Sequence, residues 1–181
     1  MTKTLPAPLQ DEIPYEMEGS AYRIFSGDCF EFGEAEQVHC IVLRGVDAPD
    51  EGQPYFLKSR SVLNGLVRLM KLRCRVVYRD EVTRESADVF VLDETSVEGK
   101  VKFNVGLKMI QLGFARYNGS QFEGAESFQI AQQDAQQKGL GIWSQASQSW
   151  SRDSNNAQAQ GANRRSDQSD SSADERRENG A

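Results

Sequence analysis

Asp28, Asp47 and Asp50 are the carboxylates best placed to do chemistry in this chain. Asp28 lies in Ser26-Gly27-Asp28-Cys29-Phe30, a turn between two strand-like runs, and Asp47 and Asp50 lie in Gly45-Val46-Asp47-Ala48-Pro49-Asp50, where a third run ends. Paired carboxylates at strand ends with a backbone carbonyl between them are hard oxygen ligands of the kind Ca²⁺ or Mg²⁺ takes. An aspartate in a turn more often caps its own backbone, so the pattern alone does not select a metal site. Arg44 and Arg84 each flank such a segment and can meet a phosphate bidentately, although either can equally form a surface ion pair. Tyr78 and Tyr117 are candidates for stacking on a base, set against the alternative that they pack in the interior. The chain has a single histidine, His39, which excludes a His-based triad or a multi-His zinc site within one chain. His39 precedes a strand-like run and is expected to be structural.

Charge narrows the partners. Lys and Arg number 21 against 27 Asp and Glu, a net of −6, which argues against an indiscriminate polyanion binder. The distribution is uneven. Residues 58–79 carry Lys58, Arg60, Arg68, Lys71, Arg73, Arg75 and Arg79 with no acid, while residues 1–57 are strongly acidic. An acidic protein with one concentrated basic segment can still bind a phosphodiester locally; the alternative is a solvated helix face followed by a charged edge strand. No apolar run approaches the length of a membrane-spanning helix. The start, MTKTLPAPLQDEIPYE, lacks the apolar stretch of a secretory signal. Cys29, Cys40 and Cys74 sit among strand-like residues and are expected as free buried thiols in a reducing compartment. A cytoplasmic monomer is therefore expected, unless a longer N-terminus carries a secretion signal.

These residues need elements to position them. Tyr22–Phe25 and Cys29–Phe32 flank the turn at residues 26–28, where Gly27 can take a positive φ. Val38–Val46 is a third extended run, ended by Asp47-Ala48-Pro49. Pro54 can open a helix, and Phe56, Leu63, Leu66, Val67 and Met70 recur at helical spacing. Arg73–Arg79 alternates, with Cys74, Val76 and Tyr78 on one side and arginines on the other. Ala87–Leu92 is a fifth strand, followed by a polar connection over Asp93–Lys100. A short helix around Val105–Leu112 stops at Gly113, and another runs from about Gly124 to Lys138. Five strands, with a helix between the third and fourth and two helices following, predict an α+β domain: a small five-stranded β-barrel, for which the OB-fold is the obvious candidate. Residues 1–20 are expected to be a flexible leader and 21–145 the domain. Residues 146–181 contain no Val, Ile, Leu, Met or Phe, cannot bury enough apolar area to offset ordering, and are expected to be disordered.

The motifs taken together are more specific than any one of them. Ser26-Gly27-Asp28-Cys29-Phe30 followed by Val42-Leu43-Arg44-Gly45-Val46-Asp47-Ala48-Pro49-Asp50 resembles the staphylococcal (thermo)nuclease family, whose patterns read roughly D-G-D-T-hydrophobic and R-L-R-G-I-D-A-P-E. Tyr78-Arg79-Asp80 with Thr83-Arg84-Glu85-Ser86-Ala87-Asp88-Val89 resembles the family's arginine-bearing loop and following strand. Val105–Gly113 resembles its V-N-x-x-L-V-x-x-G helix, with Gly106 in the Asn place, and Gly139-Leu140-Gly141-Ile142-Trp143 its closing G-L-G-I-W. The resemblance spans about residues 21–145. It implies an OB barrel with three helices and Ca²⁺-dependent cleavage of DNA or RNA, single-stranded or frayed. It also implies metal ligation by Asp28, Asp47 and the Ala48 carbonyl, water activation from the position of Asp50, and phosphate binding by arginines.

Position by position, the implied site is altered. The first Asp of D-G-D is Ser26, the following Thr is Cys29, and the Glu after the proline is Asp50, one methylene shorter. The first arginine of R-L-R-G is Val42, which cannot donate a hydrogen bond; Arg44 and Arg84 are kept. Losing such a cation can cost about 10³–10⁵ in rate, by analogy with arginine fingers. Two readings stay open: an attenuated metal-dependent endonuclease, and a catalytically inactive OB module that binds nucleic acid. A purely protein-binding domain is a more remote third.

Overall fold

The computed structural model describes residues 13–80, 84–93, 95 and 100–144. The tail over 146–181 and the start of the leader lie outside the described residues. Alternation of apolar and polar side chains builds the first half of the chain. β1 (Tyr15–Ile24), β2 (Cys29–Glu34) and β3 (Gln37–Leu43) form an antiparallel meander. Phe30, Phe32, Ile41 and Leu43 turn inward and are at most 2% exposed, while Cys29, Glu31, Cys40 and Val42 turn outward. β1 starts at Tyr15, so residues 15–20, expected to belong to the leader, are part of the domain. Met17 is in the core, and its neighbour Glu18 is paired with Lys71 and Arg73.

The third run does not continue to Val46. It breaks at Gly45, whose φ of 72° is open to glycine and whose missing Cβ leaves room for the Phe122 ring. A two-residue strand β4 (Val46–Asp47) then pairs with β8 (Arg116–Tyr117), an element the polar and aromatic sequence there does not announce. α1 (Phe56–Val67) buries Ser59, Leu63 and Val67. β5 (Leu72–Arg79) and β6 (Arg84–Leu92) follow, then β7 (Val101–Asn104) at the edge, within what the sequence suggests is a loop and helix lead-in. α2 (Val105–Gln111) is capped by the Asn104 side chain, which accepts from the Leu107 N–H at 2.9 Å. α3 (Ala125–Gln137) lays Phe128, Ala131 and Ala135 inward, and a 3₁₀ turn at Gly141–Trp143 ends the described chain.

Strand order is β3-β2-β1-β5-β6-β7, and β3 also pairs with β6 in parallel, with Cys40↔Arg84 and Val42↔Ser86 in register. That pairing closes β1, β2, β3, β5 and β6 into a barrel and leaves no free edge among those five. The architecture is the expected α+β barrel of OB type with three helices. A bulge between Val76 and Tyr78 corrects the expected alternation of β5. Tyr78 is turned out to solvent at 62% exposure, and Arg79 is turned toward a buried carboxylate. That carboxylate is Glu85, 3% exposed. It accepts from the Tyr15 hydroxyl at 2.8 Å and from Arg79 Nε at 2.9 Å, and it contacts His39 Nδ1 at 3.0 Å. Burial pushes the Glu85 pKa up, but the hydrogen bonds from His39, Tyr15 and Arg79 outweigh it and hold the carboxyl below its usual range. His39 is structural, as expected, and lies within β3 rather than before it.

Candidate active site

Asp28 is placed by the β1–β2 turn. The Phe25 and Ser26 N–H groups both donate to the Cys29 carbonyl, and the Leu43 N–H donates to the Asp28 carbonyl at 2.8 Å. The turn therefore hangs on β3. Gly27 is not at positive φ; it is required for a different reason. A Cβ there would lie 1.8 Å from Ser59 Oγ and 2.8 Å from Ala48 Cβ, so only glycine lets the turn seat against α1 and the exit of β4. The Asp28 carboxylate accepts from Ser26 Oγ at 2.5 Å and from the Ala48 N–H at 3.3 Å. Ser26 thus holds Asp28 in orientation where the family pattern has a carboxylate. Burial raises the Asp28 pKa most strongly, the Ser26 and Ala48 hydrogen bonds lower it, and the neighbouring Asp47 charge raises it further; the net shift is upward. The Ala48 N–H bond sets the Asp28 carboxylate against the residue next to Asp47.

Asp47 lies on β4 with its side chain half exposed, directly opposite Arg116 on β8, and the two side chains pair at 3.4 Å. Ala48 is buried. Asp50 is exposed and engaged locally: Gln53 Nε2 donates to Asp50 Oδ2 at 3.4 Å, and the Asp50 N–H donates to Gln53 Oε1 at 3.0 Å. The structure thus brings Asp28, Asp47 and Ala48 together and leaves Asp50 turned to its own loop.

The outward faces of β3 and β6 carry the cationic side. Val42 lies between Cys29 of β2 and Ser86 of β6, half-buried and outside the barrel core. Arg44, two residues on, donates from Nη1 to Asp88 Oδ2 at 3.1 Å and stacks over the Phe122 ring at 4.4 Å from its centroid. Arg84 opens β6 rather than a loop, and its Nε donates to Asp80 Oδ2 at 2.9 Å. The Cys29 and Cys40 thiols are 3.8 Å apart on the same face; burial pushes the Cys29 thiol up to about 12. Of the tyrosines considered for stacking, Tyr78 is exposed. Tyr117 is half-buried, donates its hydroxyl to the Ser120 carbonyl and packs against Phe122 and Phe128.

The donor set suits a hard cation in kind: two carboxylates, Asp28 held by Ser26 and Ala48 and Asp47 paired with Arg116, flanking a backbone turn. It is sparse in number, since among the described residues no cluster of three or more His, Cys, Asp and Glu side chains could hold a metal ion. A site using Asp28 and Asp47 leaves most coordination positions to water and substrate oxygens. Sequence reasoning missed Arg116, Asp88 and Phe122. Asp88 follows Arg84 at the outward-facing alternation of β6 and was legible in principle; Arg116 and Phe122 depend on the β4–β8 pairing, which has no local signature.

Two comparisons with known proteins bear on the family of this barrel. A family model described as staphylococcal nuclease homologue matches residues 40–145, starting within β3. A protein of Haemophilus influenzae (strain ATCC 51907 / DSM 11121 / KW20 / Rd) named "Uncharacterized endonuclease" is 30% identical over 101 residues, 56% of this chain and 51% of that relative. The chain thus spans about half the length of the curated relative it matches. The turn bearing Asp28 precedes the matched residues, whereas Arg44, Asp47, Ala48, Asp50 and Arg84 fall within them. With more than half of its residues matched on this barrel, the chain belongs to the staphylococcal nuclease homologue family.

Proposed function

We propose that this protein is a metal-dependent endonuclease acting on DNA or RNA, with a rate attenuated by the valine at position 42. The observation that carries the reading is the convergence of Asp28 and Asp47, joined through the Ala48 N–H, beside a face that holds Arg44 and Arg84. Ca²⁺ is the proposed metal; bound there it would polarise the phosphate and lower the barrier to attack by water. Asp28 and Asp47 would hold it, with the Ala48 carbonyl assisting. Arg44 and Arg84 would neutralise charge on the non-bridging oxygens, and Asp50, released from Gln53, would orient the attacking water. Arg116 is a third cation within reach of the site through Asp47, and ligation of Asp47 would free its guanidinium for substrate. Phosphoryl transfer leaves little covalent work for the protein, so positioning and charge neutralisation carry most of the catalysis.

One observation favours the alternative, a catalytically inactive nucleic-acid-binding module. Arg44, Arg84 and Arg116 are each already held by a carboxylate, Asp88, Asp80 and Asp47 respectively. Incubating the full chain with single- and double-stranded DNA and RNA, with Ca²⁺ or with EDTA, separates the two. Products formed only with metal and lost in Asp47→Asn support the endonuclease. A gel shift without products under every condition overturns it in favour of the module.

A further inference from the structure

An open groove of about 460 Å³ lies between the end of β1 and α1, away from the carboxylates described above. Tyr22 and Arg23 form one wall, and Leu57, Arg60 and Asn64 the other. On α1 these last three recur at three- and four-residue spacing, so they share one stripe beside the buried Ser59 and Leu63. Two features of this groove suit a nucleic acid. The first is charge. Arg44, Arg73, Arg79, Arg84 and Arg116 each pair with a carboxylate. Arg23 and Arg60, like Arg68 and Arg75 elsewhere, are ion-paired to none of the described residues; these two line one groove, with Arg23 lying 5.1 Å over the Phe25 ring, and no carboxylate lines it. The second is exposed aromatic surface. Tyr22 is 68% exposed, and its ring lies where a Cβ of Gly33 would be, 1.8 Å from Cε2, so the glycine gives the ring a flat seat with one face left to solvent.

The helical wall also touches the candidate centre from its buried side. Ser59, on the helix that forms one wall, packs against Gly27, the residue before Asp28, and its hydroxyl donates to the Phe114 carbonyl at 2.6 Å.

We propose that this groove binds single-stranded nucleic acid, with an unpaired base stacked on Tyr22 and phosphates held by Arg23 and Arg60. It rests on the reading that the chain engages phosphodiesters, and extends it with a binding track separate from the cleavage centre. A paired duplex keeps its bases from an aromatic face, so the occupant is single-stranded. Unpaired guanidiniums release counterions when they meet phosphates, which makes the binding salt-dependent.

The test measures fluorescence anisotropy of a labelled thymidine homopolymer of about 16 nucleotides with the full chain in EDTA, which isolates binding from cleavage. Tyr22→Ala is expected to weaken binding about tenfold, and Tyr22→Phe to restore it. Arg23→Ala and Arg60→Ala are each expected to lower the slope of log K against log salt by about 0.7. All three side chains are at the surface, and thermal melts of the variants check that the fold is kept. Wild-type affinity in Tyr22→Ala, unchanged salt slopes, or a duplex that binds as tightly with the same Tyr22 dependence would each overturn the groove. Loss of cleavage in Asp47→Asn with binding unchanged separates the groove from the centre and supports both. An inactive wild type with Tyr22-dependent binding supports the groove while overturning the catalytic reading.

Discussion

Val42→Arg is expected to raise Ca²⁺-dependent nuclease activity about 10²-fold. Ile41 and Leu43 point into the barrel, and Val42 between them points out, half-buried between Cys29 and Ser86. An arginine there does not enter the core, so the cost of burying an unpaired charge does not arise, and stability is expected to stay within about 1 kcal/mol. The new guanidinium shares the face of Arg44, but Arg44 is already neutralised by Asp88 and lies over Phe122, so the two cations do not face each other bare. Two donors aimed at a non-bridging oxygen in a partly dehydrated site contribute a few kcal/mol to the transition state. A 10²-fold gain corresponds to about 2.7 kcal/mol, at about 1.36 kcal/mol per decade. The assay is the initial rate on single-stranded DNA with Ca²⁺, with a thermal melt confirming the fold and Val42→Gln as the uncharged control. A folded variant with no gain would show that this face is not organised around a phosphate, and the binding-module reading would replace the endonuclease.

Asp47→Asn is expected to weaken a Ca²⁺ affinity that two carboxylates place near 10⁻⁴–10⁻³ M; equal calorimetric binding in wild type and the Asp28/Asp47 double variant would remove the metal proposal. Glu85→Ala strands Arg79 and Tyr15 at the barrel end and is expected to cost about 3–5 kcal/mol in urea unfolding. Because the folded Glu85 pKa is depressed, its contribution is present above the ordinary glutamate range and lost as pH falls through the folded value. Acid unfolding of Glu85→Gln should therefore be less steep than that of the wild type. Gly27→Ala drives a methyl into Ser59 and Ala48. Differential scanning calorimetry should show a loss of about 1–3 kcal/mol, and an unchanged melt would mean the turn yields freely.

The residue order alone was enough for the barrel class and the three helices, because each rests on short-range regularities. Alternation placed Phe30, Ile41 and Leu43 inward, helical spacing placed Leu63 and Val67, and Asp47-Ala48-Pro49 marked a strand end. Three things were settled only by tertiary contacts. β1 begins at Tyr15 because residues 15–19 pair with β5 from Val76 to Leu72, partners more than fifty residues away in sequence. The β5 bulge exchanges the faces of Tyr78 and Arg79, and its reason, the buried Glu85, lies on the next strand. The state of each site cation was likewise invisible: Arg44, Arg84 and Arg116 are told apart by which carboxylate the fold sets beside each. Local propensity acts over a turn or a strand, whereas barrel closure through β3 and β6 and the β4–β8 pairing join distant segments by backbone hydrogen bonds that any side chains could share. The sequence therefore determined which groups could act, and the closed barrel decided which of them meet.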